Sequence, residues 1–298
     1  MLSLLRKSRQ LELPLSTQLE LFDRLVVPIL TYSCEVWGYS GIDIIESLHL
    51  EYCKYILRLK KSTPNCFVYG ETGHFPLYIH VYSRMINFWH KLTQDVNNKF
   101  SSCILFTTLD CLKYKVFQSE WLLKIKSILD DCGLSFVWHN PHTVKTNWLN
   151  NAVQKKLKDM FIQDWDEKCK ACSKACNYGL FKSEFGFEKY LDALPVTYQI
   201  NLTKFRTSNH KLPIEKGRYS NLPRNERHCT LCNSDQVGDE YHFLLECTEL
   251  NELRNAHIPR YYTFRPNFHK YAQLMSSSNR KTRLSLCKYI KTGMKLFK

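Results

Sequence analysis

The feature that most constrains this chain is a set of three cysteines and one histidine in its C-terminal third. The set is Cys229-x2-Cys232-x9-His242-x4-Cys247. A Cys-x2-Cys pair places two thiolates on one tight turn, from which both can reach one ion at Zn–S distances near ~2.3 Å. His242 and Cys247 would complete a tetrahedron from the next element, and four ligands with no vacant position are typical of structural rather than catalytic zinc. The spacing therefore predicts a small zinc module. The alternatives are four buried free thiol and imidazole groups, or a site in which His228 substitutes as a ligand.

The rest of the chain is dominated by apolar residues at helical spacing. Strand-like alternation is confined to Val196–Phe205 and Tyr241–Leu245, and Gly70–Gly73 has the composition of a loop. The helices predicted in this way are one that Ser16 caps, Asp43–Leu59, Tyr78–Leu92, Glu120–Leu129, Thr146–Asp166, Glu184–Leu194 and a last one within Arg280–Lys298. The sequence therefore predicts a mostly α fold.

The charge is unevenly distributed along the chain. The 42 Lys and Arg exceed the 28 Asp and Glu, which gives a net charge of +14, and the segment from Leu253 to Lys298 carries eleven basic residues and no acidic one. Asn201–His228 is also basic, with seven Lys or Arg against two Glu, whereas Cys229–Cys247 contains four acidic residues and no basic one. An excess of this size favours polyanionic partners such as nucleic acid or an acidic membrane surface.

Two classes of protein are disfavoured by the sequence. The most apolar stretch, Leu25–Val36, is too short for a membrane span and contains Pro28. Met1–Leu5 is followed at once by Arg6 and Lys7, which is the reverse of the order in a secretory signal. Without such a signal the 13 cysteines indicate thiols or metal ligands rather than a disulfide framework. We therefore expect an intracellular protein of the nucleus or cytoplasm, with no membrane partner.

Two further motifs resemble functional sites but have structural explanations. Asp130-Asp131 is similar to a polymerase aspartate pair, yet it follows a helical run and precedes Gly133, which indicates the end of a helix. Cys169-x2-Cys172-x3-Cys176 lies at i, i+3 and i+7 of a predicted helix, where a buried stripe is the favoured interpretation and a metal or cluster site is the alternative.

Several segments resemble the C-terminal region of non-LTR (LINE-type) retrotransposon reverse transcriptases. The zinc region carries the most specific part of the resemblance, in Arg206–Arg218, Glu226–Cys229 and Gly238–Cys247. Upstream, Pro28–Gly38 and Thr63–Gly73 resemble the segments that follow the polymerase palm in that family. The resemblance implies that Cys229, Cys232, His242 and Cys247 bind zinc beside a nucleic-acid-binding surface. The family's fingers and palm, with the aspartates that hold catalytic magnesium, are missing from this chain.

The resemblance also suggests a division of the chain. Residues 1–100 would form a thumb-like helical region, 101–200 a helical linker, 201–260 a basic segment with the CCHC zinc module, and 261–298 a basic C-terminal helix or tail. The chain would grip template RNA or target DNA without catalysis, for a polymerase portion that lies elsewhere in a parent protein.

The basic segments supply the candidate nucleic-acid contacts. Because the zinc thiolates and the nearby carboxylates would repel phosphate, we expect the contacts to come from the flanks. On the last predicted helix the apolar and basic residues occupy different faces, so its lysines can face phosphates. The candidates are Arg206, Lys211, Arg218, Arg224, Arg227, Lys288, Lys291 and Lys295, with Tyr219 or Tyr241 as a platform for base stacking. The alternatives are a solubilising basic face and a zinc-stabilised protein-interaction scaffold that binds a partner through its acidic surface.

Overall fold

The computed structural model describes residues 11–94, 99–116, 118–174, 176–232 and 234–297. Within these ranges the chain is predominantly helical and has no strand, apart from one isolated antiparallel bridge between His228 and Val237. The predicted mostly α fold is therefore confirmed. The segment Met1–Lys7, on which the expectation about a signal peptide depends, and Lys298 lie outside the described residues.

The first half of the chain is a succession of helices. We number the α-helices in chain order: α1 Leu15–Leu25, α2 Val27–Leu30, α3 Cys34–Trp37, α4 Ile42–Ile56, α5 Asn65–Thr72, α6 Leu77–Gln94, α7 Lys99–Lys113, α8 Glu120–Asp131 and α9 Ser135–His139. The predicted loop at Gly70–Gly73 is wrong in part, because α5 continues through Gly70 and ends only at Thr72. The chain leaves α5 at Gly73, whose φ of +65° is a left-handed conformation that favours glycine.

The second half contains one long helix, then shorter helices and two types of irregular turn. The α-helices are α10 Thr146–Ala171, α11 Tyr178–Phe181, α12 Tyr190–Ala193, α13 Val196–Arg206, α14 Pro213–Tyr219, α15 Asn251–His257, α16 Arg260–Thr263, α17 Phe268–Met275 and α18 Arg280–Gly293. Short 3₁₀ turns occur at Pro141–Thr143, Arg224–Glu226 and Thr248–Leu250, and a π turn occurs at His242–Glu246.

Both predicted strands are wrong, since Val196–Phe205 lies in α13 and Tyr241–Leu245 falls on the π turn. The helix predicted over Glu184–Leu194 is limited to α12.

The described chain packs into two compact units, each assembled from segments that are separated in sequence. One unit comprises Leu21–Leu50 and Phe75–Asp164. Its core includes Trp89 of α6, which stacks on Trp138 with ring centroids 5.4 Å apart, and the buried His90, which contacts the Pro141 carbonyl at 2.8 Å. The other unit comprises the described residues up to Glu20, Glu51–His74 and the chain from Trp165 onward. The division of the sequence at residues 100, 200 and 260 stays a prediction about functional regions.

The second unit contains the Cys/His set, which is supported by the last helix. The predicted apolar stripe is buried at Leu286 and Ile290 of this helix and at Phe297, which follows the helix end at Gly293. The stripe contacts the π turn directly, because the ring of Phe243 lies 5.2 Å from that of Tyr289 and 5.8 Å from that of Phe297. Within the described ranges, no helix has the length and apolar character that crossing a bilayer would require.

Candidate metal centre

The first two candidate ligands lie on a loop whose ends are joined by backbone hydrogen bonds. The Cys229 N–H donates to the Gln236 carbonyl at 2.9 Å, next to the bridge between His228 and Val237. Cys229 and Cys232 are 8% and 5% exposed. The loop therefore directs both thiols inward, as the Cys-x2-Cys spacing predicts. The substitute ligand His228 is exposed, and its Nδ1 lies 2.9 Å from the Asp235 carbonyl.

The other two ligands lie at the two ends of the π turn. The Cys247 N–H donates to the His242 carbonyl at 2.8 Å, which closes an i to i+5 turn. Asp239 fixes the start of this turn, since its Oδ1 accepts from the His242 N–H at 2.9 Å. The turn places residues five positions apart against the same centre, whereas an extended strand would direct residues five positions apart to opposite faces.

The four ligand atoms converge on one point. All lie within 4.8 Å of one another, and all four residues are buried. The Sγ atoms of Cys229 and Cys247 are 3.9 Å apart, and Cys232 Sγ is 3.3 Å from His242 Nε2. A tetrahedral ion with Zn–S bonds of ~2.3 Å requires ligand atoms roughly 3.8 Å apart. The geometry therefore suits a four-coordinate metal ion, and among the described residues no other group of three or more Cys, His, Asp or Glu meets this test.

The imidazole of His242 is oriented by a hydrogen bond on the side opposite the cysteines. Its Nδ1 lies 2.8 Å from Gln236 Oε1, which can only accept, so the proton belongs on Nδ1 and the Nε2 lone pair faces Cys232. Burial, together with the charge of Arg254, lowers the pKa of His242 and favours the neutral ring. Metal-bound histidines usually have such an outer partner, which fixes the tautomer and the ring orientation.

The thiols are arranged so that a cation would favour their ionised forms. Burial, together with the adjacent Cys229 and Cys232, raises the pKa of Cys247 to about 12. Burial also acts to raise the pKa of Cys232, but hydrogen bonds from the Ser234 side chain and backbone lower it overall. Crowded thiols repel each other as thiolates, and a divalent cation reverses this repulsion.

Arg254 stabilises the π turn through hydrogen bonds. Its buried guanidinium donates to the Leu244 carbonyl at 3.0 Å and to the Cys247 carbonyl at 2.6 Å, and also to Asn251 Oδ1. These bonds connect α15 to the π turn and to the residue that ends it, whose carbonyl also accepts from the Leu250 N–H at 3.2 Å. In the sequence Arg254 is only one of eleven cations in the basic C-terminal segment. No local signal distinguishes it, and sequence reasoning also missed Gln236 and Ser234.

The structure contradicts the prediction that Arg206 contacts nucleic acid. It is 3% exposed and its Nε lies 2.9 Å from Glu71 Oε1, so the side chain cannot reach a phosphate without unfolding its surroundings. The helical periodicity of α13 explains this, since Gln199, Thr203 and Arg206 are buried on one face at i, i+4 and i+7. The buried side of this helix mixes these polar residues with Leu202 and Phe205, and Arg206 belongs to it.

Three further arginines contact the chain itself. Arg218 donates to the Ser173 carbonyl and pairs with Glu215. Arg224 contacts Cys176 Sγ at 2.6 Å.

Arg227 donates to the carbonyls of Leu222 and Ile214, at 2.7 Å and 2.9 Å, and so closes the segment that precedes Cys229. Arg218, Arg224 and Arg227 therefore hold the basic segment in place, and replacing them would change its structure as well as its charge.

The four candidate lysines are all exposed. They are Lys211, Lys288, Lys291 and Lys295. Lys291 Nζ lies 5.5 Å from the centre of the Tyr198 ring. Of the two tyrosines proposed for stacking, Tyr219 is 66% exposed, whereas Tyr241 is half-buried and stacks on Phe268 at 4.5 Å.

The aspartate pair and the second cysteine motif can now be compared with the structural explanations that the sequence favoured for them. Asp130 and Asp131 end α8, and Gly133 follows with a φ of +70°, as predicted for a helix terminus. Cys169 is buried on α10, but Cys172 and Cys176 lie beyond the end of that helix, so the predicted three-cysteine stripe is only partly formed.

Comparisons of the chain with protein-family models, with curated proteins and with solved structures found no match.

Proposed function

We propose that this chain is a non-catalytic, nucleic-acid-binding portion of a LINE-type reverse transcriptase, in which Cys229, Cys232, His242 and Cys247 hold a structural zinc ion. Two observations support zinc. Three thiolates and one neutral imidazole are ligands that zinc prefers, and the four atoms leave no open coordination position for a substrate. The ion would contribute to folding and would take no part in a reaction.

The observation that carries the binding proposal is the connection between the metal centre and a row of exposed lysines, Lys288, Lys291 and Lys295. The inner face of α18 packs on the π turn, where the Tyr289 hydroxyl donates to the Phe243 carbonyl at 2.5 Å, one residue after His242. The outer face of the same helix presents Lys288 and Lys291, and Lys295 follows in the next turn. Metal binding therefore holds a row of exposed cations in a fixed position.

The spacing of the row suits a phosphate backbone. Lys288 and Lys291 are three positions apart and so lie on one side of α18, and Lys295 follows two residues after the helix ends at Gly293. Contacts of this kind depend little on base identity and weaken steeply with salt. The partly exposed ring of Tyr198, whose centre is 5.5 Å from Lys291 Nζ, lies beside these lysines and could stack a base.

The test is a salt titration of binding to labelled single-stranded RNA and to duplex DNA. We expect the triple variant Lys288→Gln, Lys291→Gln, Lys295→Gln to lose affinity. The slope of log K against log salt should fall by roughly 2 for single-stranded RNA, because three phosphate contacts disappear.

The matched control removes the same charge from three exposed lysines elsewhere, with Lys126→Gln, Lys155→Gln and Lys156→Gln. This control should keep the salt slope. Equal effects of the two triple variants, or no binding by the natural chain even at low salt, would refute the proposal and leave the protein-interaction scaffold. The scaffold hypothesis needs an exposed acidic surface, and Glu240 cannot contribute to one because it is buried against His210 and Ser208.

A further inference from the structure

A second group of cysteines lies apart from the metal centre, where the start of α5 meets the end of α10. Cys66 is in the first turn of α5, Cys169 is in the last turn of α10, and Cys172 directly follows that helix. The Cys66 carbonyl lies 2.8 Å from the indole nitrogen of Trp165, one helical turn before Cys169, and the Cys169 and Cys172 thiols both act on the pKa of the Cys66 thiol. Cys66 therefore shares one site with two cysteines that lie about a hundred positions later in the sequence.

Tight packing fixes this arrangement. Trp165 lies one helical turn before Cys169, and its indole N–H donates to the Cys66 carbonyl at 2.8 Å. At Gly70 an added Cβ would lie 3.1 Å from the Trp165 ring and 2.5 Å from the Tyr178 hydroxyl. The glycine therefore allows α5 to approach α10 closely, and the thiols are held together by the fold.

We propose that Cys66 and Cys169 form a redox-sensitive dithiol, which closes to an intrachain disulfide when the protein meets a peroxide. The two thiols differ in the way that such a reaction requires. Cys66 is half-buried, so a small peroxide can reach it, whereas Cys169 is 7% exposed. Cys66 is thus the attacking thiol and Cys169 the resolving one.

The electrostatics support this order. The hydrogen bond from Cys169 lowers the pKa of Cys66 against the effect of burial, and backbone hydrogen bonds at the helix N-terminus lower it further. The same hydrogen bond, together with burial, raises the pKa of Cys169. The thiolate is the nucleophile in thiol chemistry, so the negative charge is concentrated on the accessible sulfur.

The reaction balances with peroxide as the only oxidant. The Cys66 thiolate attacks one peroxide oxygen, the O–O bond breaks, and the leaving hydroxide takes a proton to become water. The sulfenic acid on Cys66 is then attacked at sulfur by Cys169. The S–O bond breaks, and the departing hydroxide combines with the Cys169 proton as a second water. Two thiols lose two electrons, and hydrogen peroxide gains them.

The sequence makes the product easy to identify. Cleavage after lysine at positions 168, 170 and 174 places Cys169 and Cys172 on separate peptides, and Cys66 on a third. The full chain, kept with excess zinc, would be treated with one equivalent of hydrogen peroxide. It would then be blocked with an alkylating reagent, digested without reduction and mapped by mass spectrometry.

We expect one dominant link, between Cys66 and Cys169. Cys66→Ser should abolish it, Cys172→Ser should retain it, and Cys103→Ser, which removes an exposed thiol of the other unit, should leave it unchanged. A dominant link from Cys66 to Cys172 would overturn the assignment of Cys169. Preferential oxidation of Cys103, Cys176 or the four metal ligands, with Cys66 still reduced, would overturn the proposal.

Discussion

The Nε atom of Arg206 lies 2.9 Å from Oε1 of Glu71, and their side chains are 1% and 0% exposed. The hydroxyls of Tyr178 and Tyr190 also donate to the Glu71 carboxylate, and the Phe181 ring covers the guanidinium at 4.6 Å. The charge pair is thus enclosed, with hydrogen bonds on the acid and an aromatic face on the base. It joins α5 to α13 inside the unit that contains the metal centre.

Removing one partner of this pair should strongly destabilise the protein. In Arg206→Gln the Glu71 carboxylate would stay buried without its cation, and we expect the free energy of unfolding to fall by about 3–5 kcal/mol. Urea denaturation with zinc present throughout measures this change.

The matched control is the pair between Lys61 and Glu51, whose side chains are 91% and 64% exposed at a distance of 2.8 Å. We expect no measurable change in Glu51→Gln, because water screens an exposed pair. Equal losses in the two variants would show that enclosure does not determine the strength of these pairs.

The sequence could predict those parts of the structure that follow from local spacing. The four metal ligands, the end of α8 at Gly133 and the apolar stripe of α18 all obey rules that act over a few residues. Each of these features is determined by neighbours along the chain, so periodicity and turn chemistry were sufficient.

The rest depended on contacts between distant segments. The π turn was mistaken for a strand because His242, Phe243, Leu244 and Leu245 are all buried, and a run buried on every side has no useful period. Helix α13 was mistaken for a strand because polar and apolar residues are both buried on its inward side, so its apolar residues alone do not show a helical period. The partner of Arg206 lies 135 positions away, and no local pattern indicates such a pairing.

Gly238 is at a position where a single added methyl group should weaken the metal centre. A Cβ there would lie 2.8 Å from Pro213 Cγ and 3.0 Å from the Cys229 Cα, and the latter is backbone that cannot easily move. We expect Gly238→Ala to lower the free energy of unfolding by about 1–3 kcal/mol and to weaken metal affinity, as a competitive chelator titration would show. Gly179→Ala is the control, because nothing lies within 4 Å of its added Cβ and helical alanine is favourable. A stability of Gly238→Ala equal to that of this control would contradict the steric argument.

Glu240 should contribute a pH-dependent part of the stability. Burial acts to raise its pKa, but hydrogen bonds from His210 and Ser208, and the histidine's charge, lower it from 4.5 to about 2. Because the folded-state pKa is the lower one, this contribution is fully present above pH 4.5 and is lost as the pH falls toward 2. Glu240→Gln should therefore be less stable than the natural chain by on the order of 3 kcal/mol near neutral pH.

This difference should shrink as the solution is acidified, because protonation removes from the natural chain the charge that the variant already lacks. Denaturation curves at several pH values would follow it, and acid loss of a bound metal affects both proteins alike. Glu252→Gln, at an exposed position of α15, should show no such convergence. A gap for Glu240→Gln that stays constant from pH 6 to pH 2 would exclude the carboxylate as its origin.

The metal centre itself predicts one zinc ion per chain. We expect Cys229→Ser to lose it, since three remaining ligands hold zinc far less tightly, while Cys103→Ser keeps it. At a thousandfold excess of free zinc over its dissociation constant, the ion should stabilise the folded chain by about 4 kcal/mol. Elemental analysis gives the stoichiometry, and unfolding with and without a chelator gives the stabilisation. Cobalt(II) in place of zinc should show the strong visible absorption of a tetrahedral thiolate site in the natural chain and in Cys103→Ser, but not in Cys229→Ser. Full metal occupancy in Cys229→Ser would mean that the ion binds elsewhere, and the four residues would then be buried side chains with no ligand role.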